Sequence, residues 1–139
     1  MRQVRHTLTV RSPSQGLHEV TAEVAEWIDA QDLREGLLTV FIRHTTASIL
    51  IQENIDDDVL GDIEAFLDKL APERLALYRH TAEGADDMPA HIKAMLTQTQ
   101  LAIPVSHGRM MLGRYQGLFV FEHRRTPRPR DIVLHLLGE

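Results

Sequence analysis

The chain has 139 residues, enough for one domain whose core needs no covalent staple. It holds no cysteine, which excludes a disulfide framework, a thiolate metal site and a thiol nucleophile. A net charge of −5, with 43% hydrophobic and 25% charged residues, fits an ordinary globular protein and argues against a general nucleic-acid binder.

Met1 to His6 carries charge with no apolar run behind it, so it does not read as a secretory leader. No stretch approaches the roughly 20 apolar residues that span a bilayer. The expectation is a cytoplasmic protein without membrane contact. Residues 2–10 alternate, with Val4, His6, Leu8 and Val10 on one face, a period of two that predicts a strand. Ser12-Pro13-Ser14 breaks it. Leu17, Val20, Val24, Trp27 and Ile28 recur at helical spacing and predict an amphipathic helix over 17–30. After Gly36, the runs 37–42 and 48–51 predict two short strands around the polar insertion 43–47. Val59, Ile63, Phe66, Leu67 and Leu70 predict a second helix. Asp56, Asp57 and Asp58 suit its N-terminus, where the dipole favours carboxylates, and Pro72 ends it.

Residues 73–90 are polar and irregular. Met88, Ile92, Met95 and Leu96 predict a third helix, with Pro89 near its first turn. Strands follow at 101–105, 109–112 and 117–122. A proline-broken basic loop over 124–130, expected to be exposed, leads to a last strand at 132–137. Clustered strands with short connections, and no strict βαβ alternation, predict an α+β fold. Its antiparallel sheet or sandwich carries packed helices, in a single domain over 1–139.

None of the nucleotide-binding, zincin or nucleophile-elbow motifs is present. Chemistry is therefore sought among the eight histidines, because imidazole both ligates metals and moves protons near neutral pH. One polar cluster runs from His44 through Thr45, Thr46 and Ser48 to Gln52-Glu53-Asn54 and the Asp56–Asp58 row. It suits a phosphorylated or hydroxylated ligand, or it is strand surface followed by a helix cap. A second cluster holds His80, Glu83, Asp86, Asp87, His91 and Lys93. Imidazole with carboxylate suits zinc, manganese or iron. The alternative is that His91 packs the helix while the acids complement its dipole. A third cluster contains Arg114, Tyr115 and Gln116, then Glu122, His123 and Arg124. Alternation puts Phe119, Phe121 and His123 on one, inward face, where a lone histidine is more often a core residue than a ligand. Glu122 and Arg124 would pair across solvent. His6, His18, His107 and His135 lack comparable acidic company and read as structural.

Taken together, HTTASILIQEN with DDD behind it, EGADDMPAHIK, IPVSHGRMMLG and YQGLFVFEHR resemble the YjbQ-like family over about residues 5–138. Members are often labelled secondary thiamine-phosphate synthase enzymes. One block departs: Gly113-Arg114-Tyr115-Gln116 stands where the family usually has Gly-Thr-Trp-Gln. The resemblance implies an α+β domain that assembles as a homotrimer, with a His-lined site holding a divalent metal ion (zinc, or magnesium or manganese). It implies His80, His91 and His123 as ligands. His44 would be a fourth ligand or general acid/base. Glu83, Lys93, Arg109 and Gln116 would be catalytic, with Glu122 in support, and Lys93 and Arg109 would neutralise phosphate. Asp56 and Asp58 would hold cofactor. The implied substrate is a phosphorylated small molecule, and the implied reaction joins a pyrimidine diphosphate to a thiazole phosphate. Hydrolysis of a phosphate ester, or binding of a metabolite or metal without turnover, are the alternatives. Nucleic acid is not an expected partner.

Overall fold

The computed structural model describes all of residues 1–139. The elements are β1 (Arg2–Val10), β2 (Gly16–Glu19), α1 (Thr21–Asp29), β3 (Gly36–Ile42), β4 (Ala47–Glu53), α2 (Asp57–Leu70), a 3-10 turn at Leu75–Leu77, α3 (Asp87–Leu96), β5 (Gln100–Ser106), β6 (Arg109–Met110), β7 (Gln116–Glu122) and β8 (Arg130–Gly138). The strands form two antiparallel sheets, one ordered β1-β8-β3-β5-β6 and the other β2-β7-β4. The α+β architecture expected from the sequence is the one observed.

Side-chain alternation builds the core. Leu38, Val40 and Ile42 of β3 and Ile132, Leu134 and Leu136 of β8 face inward, joined by Ile103 and Val105 of β5. Ile49 of β4, Leu118 and Val120 of β7, and Val24 and Ile28 of α1 belong to the same cluster, with Val20, Leu33 and Ala47. Burying each large aliphatic side chain contributes about 1.5–3 kcal/mol before chain entropy is counted. The intervening residues Leu37 and Phe41 point the other way and are 45% exposed. β7 breaks the alternation: every residue from Gly117 to Glu122 is buried. It is the middle strand of its sheet: Leu118, Val120 and Glu122 face the core side, where Glu122 meets Arg130, and Phe121 on the other face lines a small cavity with Glu64, Asp68 and Lys93 of the helices.

The structure corrects three expectations. The helix foreseen over 17–30 begins only at Thr21. Leu17, His18 and Glu19 are strand, paired with Phe121, Val120 and Phe119. An open edge on β7 recruits them, so tertiary pairing overrides the helical spacing of Leu17 and Val20. The strand foreseen at 109–112 stops at Met110. A turn takes over, in which Gln116 Oε1 accepts from the Gly113 N–H at 2.6 Å. The basic loop is not simply exposed: Arg124 and Arg130 retain 7% and 2% of their surface. Both are buried because each meets a buried carboxylate. No helix is long and apolar enough to cross a membrane.

Candidate metal centre

Helical periodicity sets the first two donors. Asp87 opens α3 and His91 lies four residues on, so both project from one face. The preceding loop returns a third. Gly84 takes φ +111°, a left-handed conformation that side chains disfavour, and its N–H bonds to the Thr81 carbonyl at 3.3 Å. That turn folds His80 back over the start of α3. His80 Nε2 lies 2.5 Å from Asp87 Oδ2, and His91 Nε2 lies 3.2 Å from the same oxygen. The two imidazoles meet edge to face, with ring centroids 5.5 Å apart. The ligand atoms of His80, Asp87 and His91 all lie within 4.8 Å of one another. Glu83 adds a carboxylate oxygen 3.0 Å from His80 Nε2.

Behind these donors stands Arg124. Its Nη1 donates to Asp87 Oδ1 at 2.5 Å, its Nε to Asp86 Oδ2 at 3.0 Å, and its Nη2 to the Glu83 carbonyl at 2.9 Å. The Arg125 N–H also donates to Asp86 Oδ2, at 2.9 Å. One oxygen of Asp87 is thus fixed by the guanidinium, and the other is left to the imidazoles. Such outer partners orient a ligating carboxylate.

The electrostatics follow from this geometry. Burial works against ionised Asp87, but the hydrogen bond from His80 and the charge of Arg124 outweigh it and hold the carboxyl below its usual range. Burial is likewise outweighed at Asp86, by the Arg125 N–H and by Arg124. The hydrogen bond to Asp87 raises His80 above the usual imidazole value, against a smaller opposing effect of desolvation. A site that draws a proton onto His80 favours positive charge at that point, which a divalent cation would supply instead. Two imidazole nitrogens and a carboxylate oxygen, without sulfur, form a donor set suited to zinc, manganese or ferrous iron. The residues present therefore fit a divalent metal.

The other expected site residues sit in different settings. His123 is not part of the cluster. Its Nε2 lies 2.9 Å from Ser48 Oγ, and its buried Nδ1 has no partner. Burial, then the charges of Lys93 and Arg130, push it down to about 3. It is held as a neutral core imidazole, the more common fate of a lone histidine on an inward strand face. Lys93 lies two residues beyond His91, on the far side of α3, where its Nζ donates to Asp68 Oδ1 at 2.5 Å. Lys93 and His123 share the walls of a small cavity with Glu64 and Asp68. Glu122 is fully buried, and it pairs with Arg130 at 2.5 Å rather than with the Arg124 side chain across solvent.

His44 accepts the Asp131 N–H at Nε2, 2.8 Å away. Burial and then Arg130 lower its affinity for a proton. Asp56 caps α2 by accepting the Asp58 N–H at 2.9 Å. Arg109 is exposed on β6, and Gln116 is spent on its turn. Of the expected set, the structure brings together His80, Glu83 and His91. It adds Asp87, which the sequence placed in the same polar cluster without singling it out as a ligand, and Arg124, to which the sequence gave no role there. The i, i+4 spacing of Asp87 and His91 was available as a signal. Nothing in the local sequence marks Arg124 as buried.

The family described as UPF0047 protein YjbQ-like matches residues 6–139. The chain belongs to this family. It is 44% identical to the UPF0047 protein sll1880 of Synechocystis sp., over 99% of this chain and 94% of the relative. It is 40% identical to the UPF0047 protein YjbQ of Escherichia coli O157:H7, over 96% of each. Among solved structures, the conserved hypothetical protein TT1486 from Thermus thermophilus superposes with TM-score 0.85 at 33% identity, covering 95% of this chain and 99% of that one. The hypothetical protein APE1520 from Aeropyrum pernix gives TM-score 0.87 at 27% identity, covering 98% and 99%. The YjbQ-like fold is thus shared along the full length.

Proposed function

We infer that this YjbQ-like chain is a metal-dependent enzyme acting on a phosphorylated small molecule. The observation that carries the reading is the convergence of His80 Nε2 and His91 Nε2 on Asp87 Oδ2, beside the half-exposed carboxylate of Glu83. When bound there, a divalent cation supplies a Lewis acid for a phosphoryl oxygen and lowers the pKa of water. The chain's own residues do the rest. Arg124 fixes the direction of Asp87, and Glu83, near His80 and open to solvent, takes up a proton. The mixed imidazole and carboxylate set favours phosphate-ester hydrolysis over release of diphosphate, which calls for a magnesium site of carboxylates. Of Asp56 and Asp58, the carboxylates the family resemblance offers for that purpose, Asp56 is engaged in capping α2.

The test is a turnover panel on metal-reconstituted protein. It combines phosphate monoesters with a pyrimidine diphosphate plus thiazole phosphate pair, read by phosphate and diphosphate release. Phosphate release lost in Asp87→Asn and His91→Ala supports the reading. Diphosphate release would restore the synthase reaction. Metal binding without turnover on any substrate would leave a binding protein and overturn the enzyme.

The homotrimer implied by the family resemblance belongs to the same proposal. The outer face of the five-stranded sheet leaves Leu37, Phe41 and Leu137 exposed, apolar surface of the kind that partners cover. A monomer mass by light scattering at micromolar concentration would contradict it.

A further inference from the structure

Each of the two sheets has two outer edges, and all but one are blunted. On β2 the Leu17 N–H donates to Glu64 Oε1 at 2.9 Å. On β4 the Ile49 N–H donates to the Gln98 carbonyl at 2.9 Å. At the far end of the larger sheet, short β6 covers Val105 and Ser106 of β5. Pro104 there has no N–H to offer, and its carbonyl accepts from Met111 at 2.8 Å. β1, at the other end, has no strand beyond it. Native proteins blunt such edges because a row of free N–H and C=O groups is a template for another strand.

The ladder identifies the free groups. Glu139 exchanges both main-chain bonds with Glu35, and the Asp131 carbonyl accepts from the Arg43 N–H, so odd-numbered residues of β8 face β3. Alternation turns the even-numbered ones towards β1. The register sets Val4 opposite Leu136, His6 opposite Leu134 and Leu8 opposite Ile132. The even-numbered residues of β1 are therefore bonded to β8, while Gln3, Arg5, Thr7 and Thr9 turn N–H and C=O away from the sheet. All four are exposed. Val4 and Leu8, half-buried and packed on the core, flank the same edge.

Residues 1–11 carry Arg2, Arg5 and Arg11 and no acid. The N-terminal ammonium is balanced by Glu139, 3.7 Å away. Two further acids lie near: Asp131, whose Oδ1 accepts from Thr9 at 2.9 Å, and Asp32, whose carbonyl accepts from Arg2 at 3.4 Å. His6 stacks on Trp27 and His135 meets Gln3 Oε1 at 2.9 Å, and neither subtracts from the positive charge. A second copy of β1 would bring the same arginines against these, which disfavours self-pairing. We propose that β1 receives an extended acidic peptide segment of a partner protein as a further strand. Its main chain pairs with Gln3, Arg5, Thr7 and Thr9, its acids reach the arginines, and alternate β-branched side chains lie beside Val4 and Leu8. None of these residues belongs to the metal centre, and the inference does not rest on the function proposed above.

The test titrates the full chain with a fluorescein-labelled peptide that alternates glutamate with valine over the length of β1. Anisotropy reads binding, and amide hydrogen exchange by NMR reads its geometry. In the chain alone, the amides of Gln3, Arg5, Thr7 and Thr9 should exchange fast and those of Val4, His6 and Leu8 slowly. Saturating peptide should slow the first set about tenfold or more and leave the second unchanged. The same peptide N-methylated throughout, or with lysine for glutamate, should bind about tenfold more weakly or not at all. Thr7→Pro deletes one outward N–H and no bond to β8, so it should weaken binding about tenfold while the urea midpoint holds. Arg5→Gln should weaken it several-fold. Equal binding of the three peptides, no slowing at the odd-numbered amides, or full binding by Thr7→Pro overturns the proposal. The peptide comparison needs no variant, so it decides even where proline harms the fold. Slow exchange of the odd-numbered amides in the chain alone would also overturn it, since a second copy would already hold the edge.

Discussion

Replacing Arg124 by methionine removes a guanidinium but keeps much of its volume. In the native protein this group makes three hydrogen bonds, to Asp86, Asp87 and the Glu83 carbonyl. The side chains of Arg124, Asp86 and Asp87 are 8%, 11% and 2% exposed. The variant therefore removes the one guanidinium that faces both carboxylates, leaving Asp87 to the imidazoles and Asp86 to the Arg125 N–H. Breaking a buried pair from one side costs about 3–5 kcal/mol, because the remaining charge is left uncompensated. Against a total stability of about 5–15 kcal/mol this is a large fraction. At about 2–4 °C per kcal/mol for a chain near this size, the melting temperature should fall by roughly 10 °C.

Urea unfolding at pH 7, followed by far-UV circular dichroism, reads the loss. Adding Asp86→Asn and Asp87→Asn to the methionine variant should recover part of it. The pH dependence supplies a sign. Asp86 and Asp87 have depressed pKa values in the folded state, so their contribution is full above the unfolded carboxylate pKa and is lost as pH falls through the folded one. The gap between wild type and Arg124→Met should therefore shrink on acidification below about pH 4. A loss under about 1 kcal/mol at neutral pH, the range of exposed pairs, or a gap that widens with acid, would refute the reasoning.

Further outcomes follow from the same geometry. His123, pushed down to about 3 by burial, stays neutral in the folded protein while the unfolded chain takes a proton below its ordinary value of 6.5. Its contribution is full above that value and drains away as pH falls towards 3, so His123→Asn should flatten the urea midpoint between about pH 6.5 and pH 4. His80 has the opposite sign: its raised pKa adds stability below the unfolded value, lost as pH rises through the folded one, and His80→Gln should remove that component. Glu122→Ala strands the buried guanidinium of Arg130 and should cost about 3–5 kcal/mol in the same assay. Ile49→Ala, in the centre of the core, should cost about 2–5 kcal/mol by leaving a cavity.

Strands that alternate on one buried face were legible from sequence, because a period of two survives whatever packs on the other side. β1, β3 and β8 are of this kind. β7 was legible as a strand but not as a fully enclosed one, since nothing local tells that residues of α2 and α3 adjoin Phe121 on one face while Arg130 meets Glu122 on the other. Leu17 carried a helical spacing that pairing with Phe121 outweighed. In the candidate site, the density of His80, Glu83 and His91 pointed to a loop and helix whose side chains the structure brings together. The third imidazole was misplaced, because strand alternation cannot distinguish a histidine that reaches the site from one that ends on Ser48. Arg124 was read as exposed, since burial of an arginine depends on carboxylates 37 and 38 residues away in the chain. The comparisons settle family and fold, while the proposed metal site rests on the geometry of His80, Asp87 and His91 alone.

The central claim is tested most directly by titrating chelator-stripped protein with zinc in a calorimeter, wild type beside Asp87→Asn, His91→Ala and His123→Asn. One equivalent bound by the wild type and by His123→Asn, with binding lost in the other two, is the predicted result. No binding by the wild type, or binding abolished by His123→Asn and retained by Asp87→Asn, would contradict it.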